Sequence, residues 1–163
     1  ANAEIARVEA EVRTELERRG LVKLGGVGIF DWPIAPIFGI ACGFRCPDYP
    51  YLRILGPHTG IDLPTHVGTA VRAGADGYVA RAYDSGGPGY SYVLLLHGDN
   101  FSTVYGHLSS VAVEAGAFVT RGQVIGSSGG APGSRGAGLS TGPHLHFEVR
   151  KDGIAVNPAQ YLP

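Results

Sequence analysis

Four of the chain's six histidines stand where an imidazole can do chemistry. His144-Leu145-His146-Phe147-Glu148-Val149 alternates polar and apolar residues. On a strand, both imidazoles and Glu148 share one face, while Leu145, Phe147 and Val149 share the other. The apolar set must face a core, so the two imidazoles project together, about 7 Å apart along the strand. His58-Thr59-Gly60-Ile61-Asp62 sets an imidazole and a carboxylate four residues apart. That spacing shares a face in a strand as well as in a helix, and Gly60, Pro57 and Pro64 favour an extended segment. Tyr105-Gly106-His107-Leu108-Ser109 adds a further imidazole at a strand end.

Two imidazoles and a carboxylate make a ligand set suited to zinc, and three protein ligands leave a fourth position for water, as in catalytic sites. Zinc lowers the pKa of bound water from 15.7 to about 7 and polarises a carbonyl. A nearby imidazole can take the water's proton or donate to a leaving amine. His144 and His146 cannot both fill one corner of a tetrahedron, and the residues alone do not rank them. Glu148 is either an acceptor that orients an imidazole or a solvated strand-end carboxylate. His66 reads as a surface turn residue and His97 as a structural residue of a hairpin turn. Tyr51 lies shortly before His58. Tyr90 and Tyr92 read as core or cleft wall, and Ser127 and Ser128 have no base partner that would make them nucleophiles.

These side chains need a scaffold of short strands. Gly is 26 of 163 residues, against an ordinary share of about 7%. From Trp32 onward, short β-rich runs alternate with Gly, Pro, Asp and Asn. The predicted strands are 51–55, 60–63, 70–73, 77–83, 91–97, 102–107, 123–126, 144–151 and 154–156. His97-Gly98-Asp99-Asn100 and Lys151-Asp152-Gly153 are hairpin signals. The class is mainly β: an antiparallel sheet or folded-over β sandwich with a short N-terminal helix. Residues 127–142, rich in Gly, Ser, Ala and Pro, read as a long mobile surface loop.

Residues 1–20 differ in kind. Nine charged side chains fall in the first nineteen positions, and Ile5, Val8, Val12 and Leu16 recur at helical spacing. The helix is either the end of a coiled coil, with a partner through residues 3–19, or a helix packed on the domain. Residues 21–31 read as a linker and 32–163 as the main domain. A net charge of −1 argues against nucleic acid and anionic membranes as general partners. No apolar run approaches the 18 residues of a membrane span. The chain opens at Ala1 and holds no Met, which reads as a processed or trimmed piece of a longer protein. Cys42 and Cys46 can close a small disulfide ring in an oxidising compartment or stand as two thiols. They cannot make a four-ligand zinc site alone.

The ordered set of motifs resembles the lysostaphin/LytM-type zinc metallopeptidases, which cleave peptide bonds in bacterial peptidoglycan. It runs from about Trp32 to Pro163 through His58-Thr59-Gly60-Ile61-Asp62, Gly68-Thr69-Ala70-Val71 and Ala73-Gly74-Ala75-Asp76-Gly77. It continues through Leu96-His97-Gly98, Thr103-Val104-Tyr105-Gly106-His107-Leu108 and Gly122-Gln123-Val124-Ile125-Gly126. Ser140-Thr141-Gly142-Pro143-His144-Leu145-His146-Phe147-Glu148 and Asn157-Pro158 complete it. The resemblance implies a LytM-type fold, zinc ligands His58, Asp62 and His146, and His144 and His107 as general base and transition-state stabiliser. It implies a peptidoglycan peptide as substrate and an extracytoplasmic location, in the periplasm or at the cell surface. Residues 130–139 stand out as an insertion, Cys42 and Cys46 lie outside the common pattern, and His66 stands where the family often has a less polar residue. Two rivals remain: a non-catalytic regulator that activates other wall hydrolases, and a zinc-stabilised binding module, which would need a fourth protein ligand.

Overall fold

The computed structural model describes residues 2–20 and 28–163. Most of the linker expected at 21–31 therefore lies outside the described residues. Within its last positions, Phe30 is fully buried against His97 and Phe101, and its N–H bonds the Tyr161 carbonyl. Its aromatic ring seals that end of the main core.

Among the described residues, helix α1 (Asn2–Arg19) and a one-turn helix α2 (Leu52–Leu55) accompany ten strands. These are β1 (Ile61–Pro64), β2 (Ala70–Arg72), β3 (Gly77–Tyr83), β4 (Tyr92–Leu96) and β5 (Phe101–Gly106). They continue with β6 (Leu108–Val111), β7 (Phe118–Val119), β8 (Val124–Ser128), β9 (His144–Lys151) and β10 (Ile154–Val156). A large antiparallel sheet runs β1-β9-β5-β4-β3-β7, with β10 beside β9, and a small sheet runs β2-β8-β6. Val71, Leu108 and Ile125 of the small sheet meet Leu63, Val79, Val93, Leu95, Tyr105, Leu145 and Phe147 of the large one in the main core. This is the folded-over β sandwich that the residue pattern predicts.

The other face of the large sheet carries α1. Ile5, Val8 and Leu16 pack on Ala80, Tyr92, Leu94, Leu96 and Val104. The apolar stripe of α1 packs on the chain's own sheet. With both faces covered, β4 reads as the unbroken apolar run Tyr92-Val93-Leu94-Leu95-Leu96, buried throughout.

Three differences from the sequence reading have local causes. Residues 51–55, expected as a strand, turn into α2, where the Leu55 N–H reaches the Tyr51 carbonyl at 2.8 Å and Gly56 ends the turn at φ 79°. Strand β6 follows β5 immediately because His107, at φ 61°, turns the chain out of the large sheet and into the small one. The loop after β8 is tethered: Gly136 bonds Gly87 and Ser91, Gly138 bonds Pro88, and the Ser140 hydroxyl bonds the Gly130 carbonyl. Gly and Ser serve there as close-approach residues, so a composition that suggests mobility builds an anchored wall.

Candidate metal centre

The site forms where β1 pairs with β9. Asp62 lies opposite His146, and Pro64 opposite His144. The alternation of β9 sends His144, His146, Glu148 and Arg150 to the α1 side and Leu145, Phe147 and Val149 into the main core. His58 comes from the turn before β1.

Three donor atoms converge. His58 Nε2 is 3.2 Å from Asp62 Oδ1 and 3.2 Å from His146 Nδ1, and His146 Nδ1 is 3.0 Å from the same carboxylate oxygen. Each imidazole is oriented from behind. His58 Nδ1–H donates to the Gly43 carbonyl at 2.9 Å, and His146 Nε2–H donates to Glu148 Oε1 at 2.9 Å. The remaining ring nitrogens, His58 Nε2 and His146 Nδ1, therefore face Asp62. A carboxylate gathered against two ring nitrogens is stabilised by a cation among them, a proton or a metal ion, and two histidines held from behind by outer acceptors are the pattern of metal ligands. The donor set of two nitrogens and one oxygen, all within 4.8 Å of one another, fits a divalent ion such as zinc.

The electrostatics agree. Burial raises the Asp62 carboxyl, but hydrogen bonds from His146 and His58 outweigh this and hold it well below the usual carboxylate range. Burial lowers His146, yet its bonds to Asp62 and Glu148 prevail and raise it to about 10. The same two carboxylates that favour a proton on His146 favour a metal cation in its place, so loading the site releases that proton.

His144 and His107 flank the group with ring centroids 4.4 Å apart. His144 Nδ1–H donates to the Gly142 carbonyl at 2.7 Å, and its Nε2 lies 3.5 Å from Asp62 Oδ1, farther than the other two donors. His107 Nδ1–H donates to the Ala137 carbonyl at 2.5 Å. Burial, with His144 and His146 adding, lowers His107 to about 3, so its resting imidazole is neutral and its Nε2 is an acceptor. The five site residues read from the sequence thus meet in one place. Glu148, open between two readings, is fully buried and orients His146, with Thr59 donating to it at 2.5 Å.

A cleft opens over these residues, lined by Tyr49, Tyr51, Tyr90, Thr59, Leu139, Thr141 and, from α1, Ile5. Tyr51 stands in this wall. Tyr49, absent from the sequence reading, stacks on His58 at 4.6 Å, and Tyr90 meets His107 edge-on at 5.0 Å. Tyr92, grouped with Tyr90 in sequence, is core beneath α1. His66 is exposed in its turn. His97 is buried away from the site, bonding the Asp76 carbonyl and the Thr103 hydroxyl at 2.7 Å each. Cys42 and Cys46 are joined by a disulfide, and the ring they close carries the Gly43 carbonyl that holds His58. Cys42 also bridges Asp62 through the backbone. Tyr49 and the disulfide ring lie outside the motifs, so only the folded chain reveals that they support His58 and Asp62.

The family model described as peptidase family M23 matches residues 56–158. The chain belongs to peptidase family M23. An uncharacterized metalloprotease of Haemophilus influenzae is 46% identical over 111 residues, which cover 68% of this chain and 22% of that protein. The peptidoglycan DD-endopeptidase ShyA of Vibrio cholerae is 38% identical over 109 residues, covering 67% of this chain and 24% of the relative. The matched part of the chain therefore spans about a quarter of the length of these relatives. Among solved structures, a zinc-containing peptidase from Vibrio cholerae matches with a TM-score of 0.66 at 32% identity, covering 80% of this chain and 39% of that one. The SpoIIQ–SpoIIIAH pore-forming complex matches with a TM-score of 0.66 at 30% identity, covering 84% of this chain and 92% of that one. The M23 membership and these relatives support peptidase activity.

Proposed function

We propose that this chain is the catalytic domain, from about Phe30 to Pro163, of a zinc-dependent endopeptidase that hydrolyses peptide bonds in bacterial peptidoglycan outside the cytoplasm. The carrying observation is the convergence of His58 Nε2, Asp62 Oδ1 and His146 Nδ1, with both rings pinned from behind. When bound there, zinc supplies Lewis acidity, which makes water a competent nucleophile near neutral pH and polarises the scissile carbonyl.

The chain's own residues do the rest. The cleft wall of Tyr49, Tyr51, Thr141 and Leu139 binds an extended peptide across the ligands. His144 Nε2, with Nδ1 committed to Gly142, takes a proton from the attacking water as its oxygen bonds the carbonyl carbon. The resulting imidazolium returns that proton to the amine nitrogen as the C–N bond breaks. His107, with Nδ1 committed to Ala137, accepts from the water in its resting state and stabilises an oxyanion only once protonated. No acyl-enzyme is needed.

Defined muropeptides digested with and without added zinc, with products identified by mass spectrometry, test this reading. Chelation should abolish cleavage. His146→Ala should lose both metal and activity, and His144→Ala should lose activity while keeping most of the metal. Metal content and cleavage both unchanged in His146→Ala would overturn the site. The likeness to the SpoIIQ complex favours a binding role as the rival. Cleavage by this domain excludes a purely binding role, and zinc binding without cleavage supports it.

A further inference from the structure

Helix α1 reaches the metal centre through a buried chain of charges. Glu9 points into the sheet and is only 3% exposed, whereas Glu11 and Glu15 lie on the outer face, paired with Arg7, Arg18 and Arg19. A buried carboxylate is costly unless it is matched by charge and hydrogen bonds. Glu9 Oε2 accepts from Arg150 Nε at 2.8 Å and Oε1 from the Ser102 hydroxyl at 2.6 Å. Arg150, itself 5% exposed, lies on the site face of β9, and its Nη1 stands 3.6 Å from Glu148 Oε2. Glu148 Oε1 in turn receives His146 Nε2–H at 2.9 Å.

The two carboxylates share one guanidinium unequally. Glu9 holds the short contact. Glu148 receives the long one, so its Oε2 has no hydrogen-bond partner among the described residues, while Oε1 is given to His146 and Thr59. With Glu9 neutral, the guanidinium would have Glu148 as its remaining adjacent counter-charge. Closing that 3.6 Å gap draws the carboxylate away from the imidazole.

We propose that Glu9 is a positioning residue for the metal centre: by holding Arg150 on the helix side, it keeps Glu148 in place to orient His146. The site is then competent only with α1 docked on the sheet. This rests on the reading of His58, Asp62 and His146 as zinc ligands.

The test uses the whole 163-residue chain and zinc alone as probe, titrated in competition with a chromogenic chelator. Partners directly behind a metal-bound histidine are worth about 10–100-fold in affinity. One step farther out, Glu9→Gln should weaken zinc about tenfold. Glu9→Asp, which keeps the charge on a shorter stem, should fall about threefold, and Glu11→Gln on the outer face should bind as the wild type does. Glu148→Gln should weaken zinc by itself, and adding Glu9→Gln to it should cost nothing more. Wild-type zinc affinity in Glu9→Gln, or a loss that adds in full to that of Glu148→Gln, overturns the proposal. If Glu9→Gln does not fold, Glu9→Asp decides, and wild-type affinity there overturns it. A wild-type chain that binds no zinc removes the ligand reading itself, an outcome visible before any variant is made.

Discussion

An alanine at position 60 tests whether the β1–β9 contact positions the centre. Gly60 has no left-handed backbone, so its cost is steric. A Cβ there would overlap the Phe147 carbonyl oxygen and stand 2.9 Å from the carbonyl carbon and 3.0 Å from Glu148 Cγ. Comfortable carbon contacts begin at about 3.5 Å, and the obstructing atoms are largely backbone, which cannot swing aside. Relief requires β1 and β9 to part by roughly half an ångström or more. Overpacking of this kind costs about 1–3 kcal/mol, and main-chain overlap points to the upper end. Against it, Gly→Ala restricts the unfolded chain and returns about 0.4–1 kcal/mol. The net loss is about 2 kcal/mol, which for a chain of this size lowers Tm by about 4–8 °C. The strands that part are those carrying Asp62 and His146, directly opposite each other, so zinc affinity should fall as well. Thermal unfolding with the metal chelated, followed by a zinc competition titration, measures both. A variant melting within about 1 °C of the wild type, with unchanged zinc affinity, would refute the reasoning.

Thr59→Val removes the hydroxyl that donates to Glu148 and should weaken zinc about tenfold in the same titration. Gly136→Ala places a Cβ against the Leu108 carbonyl at a backbone φ of 74°, lifting the loop that offers the Ala137 carbonyl to His107. On the proposed roles, muropeptide cleavage should slow at least about tenfold while zinc affinity holds, since the loop supports His107 and not His58, Asp62 or His146. His97 carries a pH prediction. Burial lowers it to about 4, below the 6.5 of an unfolded chain, so on acidification the unfolded state takes up the proton first. The stability present above pH 6.5 is lost as pH falls toward 4, by on the order of 3 kcal/mol from this residue. Urea unfolding across that range should show a shallower loss in His97→Gln.

What the sequence made legible is what depends on period and punctuation. The alternation in β9 placed the histidines on one face without any structure, and the turn residues after β4 and β9 placed both hairpins. What it left hidden depends on contacts between distant segments. His144 and His146 look equivalent along the strand; only the register with β1 sets Asp62 opposite His146. Glu148 could be judged buried only once α1 was seen to cover that face. The helix itself offered a stripe that fits a partner helix or a sheet equally well, and the sheet was its own. The Gly-rich loop misled because small residues serve flexible linkers and close backbone approach alike, and here they serve the second.

Strand β9 serves two masters along its length, chemistry on odd steps of the pleat and core on even ones. Length mutations there are therefore unlike substitutions. One inserted or deleted residue would exchange the two sets wholesale beyond that point, setting phenyl and isobutyl groups toward the cleft and imidazoles toward the oil. No neighbouring side chain can compensate for such a frameshift of the pleat. Any lineage or library that varies this chain should accept changes of length in the turn at Asp152-Gly153 and reject them between His144 and Arg150.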